Sequence, residues 1–122
     1  MSGQQPPPPP PDDDISRRIY NTAPAEHDVE VGQYYMKKEK YDAAVDRFKH
    51  AIELLPKYSL PYRLLGEAYE KKHFYPEALA AYQKYVELFP KAGDAENVRK
   101  RITRLQETIR DQEKRREKAA KP

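Results

Sequence analysis

The chain contains no cysteine and no tryptophan, and it has only four glycines and three histidines among its 122 residues. Without cysteine there is no disulfide framework and no thiolate zinc site, and the redox compartment is left undetermined. The four glycines never cluster, so no phosphate-cradling loop can be built. His27, His50 and His73 stand far apart, none with a second ligand at helical metal spacing, and Ser2, Ser16 and Ser59 occupy tail or cap positions. Catalytic, metal and cofactor sites are therefore not expected. No apolar run is long enough to cross a bilayer, and no charged-then-apolar signal segment is visible, so the chain as written reads as soluble and cytoplasmic. A removed export signal would instead make it periplasmic or envelope-associated.

What the chain has in quantity is charge and tyrosine. Charged residues make up 35% of it, and its ten tyrosines form most of its aromatic content. The net charge of +3 hides an uneven distribution. Residues 1–31 hold six acidic and two basic side chains, and residues 99–122 hold ten basic and four acidic, so an acidic front faces a basic tail.

The organisation follows from a repeat. Residues 28–56 and 62–90 superimpose with a shift of 34 positions. Gly32 then falls on Gly66, Tyr35 on Tyr69, Tyr41 on Tyr75, Ala44 on Ala78, Phe48 on Tyr82 and Pro56 on Pro90. Small, aromatic and proline residues at fixed offsets in such a period suit a helix–turn–helix unit that stacks on its own copy. Gly32, Ala44, Gly66 and Ala78 would let helices approach closely, with Tyr35, Phe48, Tyr69 and Tyr82 as plugs between them and tyrosine hydroxyls reaching the rim. The expected class is all-α, a helical-hairpin solenoid of two repeats with a long C-terminal helix.

The offsets resemble the tetratricopeptide repeat. The second copy matches at Tyr62, Leu65, Gly66, Tyr69, Ala78, Tyr82 and Pro90, and the first at Val31, Gly32, Tyr35, Ala44, Phe48, Ala51 and Pro56. There are two departures. Asp28 replaces the opening aromatic, and Tyr85 stands where Ala51 supplies a small residue, so the second unit's far face is expected to pack looser or against another neighbour.

Three regions are expected. Residues 1–22 form a disordered Pro/Asp-rich segment with a polyproline run at 6–11, followed by an island, Ile15 to Tyr20, that folds back over the first repeat. Residues 23–109 form the repeat domain, with repeats at about 25–58 and 59–92 and a capping helix from 94. Residues 110–122 are a basic helical tail held by pairs such as Asp111 with Arg115 and Glu113 with Arg116. The spacing predicts helices over 24–38 and 42–55 in the first unit. In the second, Ser59 caps the first helix, Pro61 lies in its opening turn, and Pro76 opens the next. A stripe of Ala95, Val98, Ile102, Leu105 and Ile109 runs along the last helix.

The resemblance implies a noncatalytic scaffold that binds a protein or peptide in a concave groove. Carried over by helical phase, that groove shows Val29, Gln33 and Met36, then Arg63, Glu67 and Glu70, then Asn97, Arg101 and Arg104. A carboxylate clamp of the chaperone-binding kind is disfavoured, because Val29, Gln33 and Leu64 occupy its places. Two alternatives stand beside this reading. One is an outer-membrane protein assembly component of the tetratricopeptide lipoprotein type, against which the absent lipobox cysteine counts. The other is an anionic-surface contact, nucleic acid or acidic lipid, through Arg110, Lys114, Arg115, Arg116 and Lys118; with no aromatic interleaved, specific nucleic-acid recognition is not expected. A weak homodimer through the apolar stripe is a further expectation.

Overall fold

The computed structural model describes the backbone of residues 14–121 and the side chains of residues 24–121. Five helices follow one another: α1 (Asp14–Lys37), α2 (Tyr41–Leu54), α3 (Leu60–Lys71), α4 (Tyr75–Leu88) and α5 (Ala95–Ala120). Each packs on the next in chain order, α1 on α2, α2 on α3, α3 on α4 and α4 on α5, and α1 also touches α3. The result is two stacked hairpins closed by a fifth helix. The described residues contain no strand.

One helix boundary differs from the sequence expectation. α1 is helical from Asp14, ten residues ahead of Pro24, so the start expected at Pro24 is replaced by a helix that runs through the proline. Proline withholds a single N–H from the ladder, and here the helix continues past it. The polyproline run at 6–11 lies outside the described residues.

The paired glycines meet the paired aromatics across each hairpin. A Cβ on Gly32 would stand 2.8 Å from Phe48 Cδ1, and one on Gly66 would stand 2.6 Å from Tyr82 Cδ1. No real Cβ sits that close to a ring carbon, so each glycine is the space its aromatic fills. Phe48 and Tyr82 are fully buried, as are Ala44, Ala51 and Ala78. Complete burial of one such ring contributes roughly 1.5–3 kcal/mol. Around Phe48 gather Ala25, Val29, Val45 and the α3 residues Leu64, Leu65 and Ala68. Around Tyr82 gather Tyr62, Tyr85, Val98 and Leu105.

The two hairpin turns match bond for bond. The Lys40 amide donates to the Tyr35 carbonyl and that of Glu39 to Met36; thirty-four positions on, Phe74 donates to Tyr69 and His73 to Glu70. These are the six-to-one and five-to-two bonds of a Schellman turn, which requires a left-handed residue between them. Glu39 (φ 58°) and His73 (φ 62°) supply it, although neither is glycine. Only the second turn adds an aromatic lock, with Phe74 stacked on Tyr69 at 6.5 Å. Ser59 does stand before α3, but it has helical backbone angles and its hydroxyl makes no capping bond.

α5 buries Ala95, Val98 and Leu105, with Ile102 and Ile109 half-buried, and residues 110–121 are all exposed. The tail pairs expected between Asp111 and Arg115 and between Glu113 and Arg116 are absent from the ion pairs of the described residues. Charges so fully hydrated gain little by pairing.

Candidate binding cleft

Between α3 and α5 lies an open cleft of about 470 Å³, lined by Glu67, Glu70 and Lys71 of α3, Tyr75 of α4, and Arg101, Arg104, Leu105 and Thr108 of α5. Helical spacing builds both walls. Glu67, Glu70 and Lys71 share one face of α3, while Arg101, Arg104 and Thr108 recur at three- and four-residue steps along α5.

The walls are tied together beneath the opening by the Tyr82 hydroxyl. It donates to Glu70 Oε1 at 2.6 Å and accepts from Arg101 Nη1 at 3.0 Å, so one buried phenol joins α3, α4 and α5. Arg101 Nη1 also stands 3.8 Å from carboxylate oxygens of Glu67 and Glu70. Burial, and then the hydrogen bond to Glu70, push the Tyr82 phenol well above the ordinary tyrosine range, which keeps it protonated and able to donate. A second line of contacts extends this seam. Arg63 pairs with Glu67 and, through Nε, with Asp94 Oδ2 at 2.9 Å, and Asp94 accepts from the Tyr85 hydroxyl. Tyr85 is itself pushed up to about 12, by burial first and by Asp94 next. The tyrosine that departs from the repeat pattern thus has a definite neighbour, the residue at the start of α5, and it packs against Phe89 with ring centroids 5.7 Å apart.

Four of the nine expected groove residues, Glu67, Glu70, Arg101 and Arg104, come together in this cleft. The other five do not. Val29 is 3% exposed and belongs to the first core, on a stripe with Ala25 and Gly32 that faces α2. An apolar residue at that turn lowers its free energy by joining the core, so its assignment to the groove is corrected. Met36 is partly buried against the same core. Gln33 and Asn97 are exposed and do not line the cleft, and Arg63 is half-buried in the seam. The expectation that tyrosine hydroxyls reach the rim is corrected for Tyr82, whose hydroxyl is taken up internally by Glu70 and Arg101.

The first repeat carries a different polar device at its outer end, which sequence reasoning missed. The Asp28 carboxylate, 4% exposed, accepts from Arg47 Nη1 at 3.1 Å and pairs through its other oxygen with His50 Nδ1. The available signal was Arg47 and His50 standing one turn apart on α2, opposite an acid placed where an aromatic belongs. Tyr62, the counterpart of Asp28, instead donates its hydroxyl to the Pro56 carbonyl at 2.7 Å and packs on Phe89.

Residues 32–72, from the second half of α1 to the residue after α3, match the family model for the TPR repeat. Residues 32–72 thus carry the tetratricopeptide-repeat pattern. The matched span crosses the seam between the two hairpins, and the glycine–aromatic contacts and twin turns continue the same plan through α4. No curated protein matches the chain. Tetratricopeptide repeats are interaction modules, which supports a general role in binding other proteins. Among the described residues, no helix is long and apolar enough to cross a membrane, and no group of three His, Asp or Glu side chains converges to hold a metal ion.

Proposed function

We propose that this protein is a noncatalytic adaptor that binds a polypeptide segment of a partner in the cleft between α3 and α5. The observation that carries the reading is the Glu70–Tyr82–Arg101 link. It holds both walls at fixed separation before any ligand arrives, and a preformed site avoids the ordering cost that association otherwise incurs. The cleft is open to solvent between two helices, which fits an extended or helical segment better than an enclosed small molecule.

Thr108 lies in the cleft with its hydroxyl donating to the Arg104 carbonyl, and Thr108→Trp would fill the channel from one wall. Peptides selected on the intact protein from a displayed random library should lose binding to Thr108→Trp while the far-ultraviolet spectrum stays unchanged. Undiminished binding would remove the cleft assignment.

A second use rests on α5 continuing from Arg110 to Ala120 with every side chain in solvent, six of the residues 110–121 being basic and three acidic. Such an arm would add a salt-sensitive contact with an anionic surface, and deleting residues 110–122 would abolish that contact without affecting the cleft.

A further inference from the structure

The partner's chemistry can be read from the charges that the cleft leaves unmatched, and this step rests on the cleft being the binding surface. Glu67 is engaged by Arg63 and Arg101, and Glu70 by Tyr82 and Arg101. Lys71 and Arg104, on opposite walls, take part in none of the ion pairs among the described residues and are exposed. We infer that the cleft takes an acidic peptide segment in which carboxylates alternate with uncharged residues, with one carboxylate meeting Lys71 and another meeting Arg104.

The acids on the wall decide between a peptide and a nucleic acid. A polyphosphate strand carries charge at every unit and would bring phosphates against Glu67 and Glu70, where like charges cost affinity. Spaced carboxylates avoid those positions. The uncharged residues between them can lie on Leu105 at the floor and on the ring of Tyr75, so a small apolar contact separates two charged ones. Arg101 contributes indirectly. Its guanidinium is occupied by Tyr82, Glu67 and Glu70, so it keeps those acids from competing for the ligand-facing cations.

The test uses the full chain and two synthetic peptides of equal length, one alternating Glu with Leu and the other Gln with Leu. The Glu peptide should bind about tenfold or more tightly than the Gln peptide, with affinity falling as salt rises. The double variant Lys71→Glu, Arg104→Glu should abolish that preference with helicity intact. Equal binding of the two peptides, or a preference that survives the double variant, overturns the acidic assignment; if Thr108→Trp still blocks binding, the cleft reading stands alone. A duplex oligonucleotide that displaces the Glu peptide from wild type but fails to bind the double variant would transfer the site to nucleic acid and overturn the peptide as ligand. If neither peptide binds in a way that depends on Thr108, both the acidic assignment and the cleft reading fall.

Discussion

The two hairpins share one skeleton and differ in what they do with polar atoms. In the first, Phe48 fills the space left by Gly32 with carbon alone, and the polar contact lies at the outer end, where Asp28 is clamped by Arg47 and His50. In the second, the outer end is aromatic, Tyr62 against Phe89, and the polar atoms have moved inward to the Tyr82 hydroxyl. A single oxygen separates the phenylalanine from the tyrosine. That oxygen gives α5 something to bind besides the apolar face of α4, and it places a cleft beside the second repeat. A scaffold can therefore keep its packing constant and change which side of a unit is available to a partner.

The largest effect should come from the shared skeleton. Gly32→Leu and Gly66→Leu each force a branched side chain into the ring opposite, and each should cost about 1–3 kcal/mol or more, read as a fall in the urea midpoint. If the two hairpins are built alike, the losses should be comparable. A loss at only one of the two positions would break the equivalence.

Next in size is the polar contact of the first hairpin. Asp28→Ala strips Arg47 and His50 of their acid; because both keep some contact with water, the cost should be about 1–2 kcal/mol, below that of a fully buried pair. Arg47→Ala in the Asp28→Ala background should add little, since the double-mutant cycle would find the interaction already gone.

Tyr82→Phe turns the second hairpin into the first at this position. It should cost about 1 kcal/mol, since Glu70 and Arg101 can still reach water, and the protection of α5 amides from hydrogen exchange should fall. The same phenols make the fold sensitive to base. The folded protein holds Tyr82 and Tyr85 protonated above the ordinary value of 10.0. That contribution is thus fully present below pH 10.0; the part due to Tyr85 is lost as pH rises through about 12, and the part due to Tyr82 as pH rises through its own raised value. Denaturant midpoints followed into that range should fall less steeply for Tyr82→Phe and Tyr85→Phe than for wild type.

The smallest effect should be a gain. Glu39→Gly and His73→Gly relieve a left-handed backbone that side chains resist, and each should raise stability by about 1 kcal/mol or less. The gain should be smaller at His73, whose ring contacts Tyr75 and is lost with the substitution.

Most of the skeleton was legible in the chain because close packing leaves a periodic trace: a glycine in one helix demands a large ring at a fixed distance along the next. The packed length of α5 was legible for the same reason, since its stripe ends at Ile109, while the helix itself runs on to Ala120. The turns were less so. Glu39 and His73 share an offset, but nothing in their side chains marks a left-handed backbone. The cleft was half legible. Helical phase grouped Glu67, Glu70, Arg101 and Arg104, which line one cleft because their charges face outward, with Val29, which is buried because an apolar residue at the same phase follows the core. Arg63 holds the corresponding place in the second copy and stays half-exposed, drawn to Glu67 and Asp94. The Tyr82 link was hidden altogether, because it depends on three helices meeting at one oxygen.

That binding lies between α3 and α5 can be decided by titrating isotopically labelled protein with the Glu–Leu peptide and following backbone amide resonances. The resonances of Lys71, Tyr75, Arg104 and Thr108 should move together and saturate, while those of Gln33 and Asn97 stay in place. Movement confined to the surface around Gln33, or to residues 110–120, would contradict it.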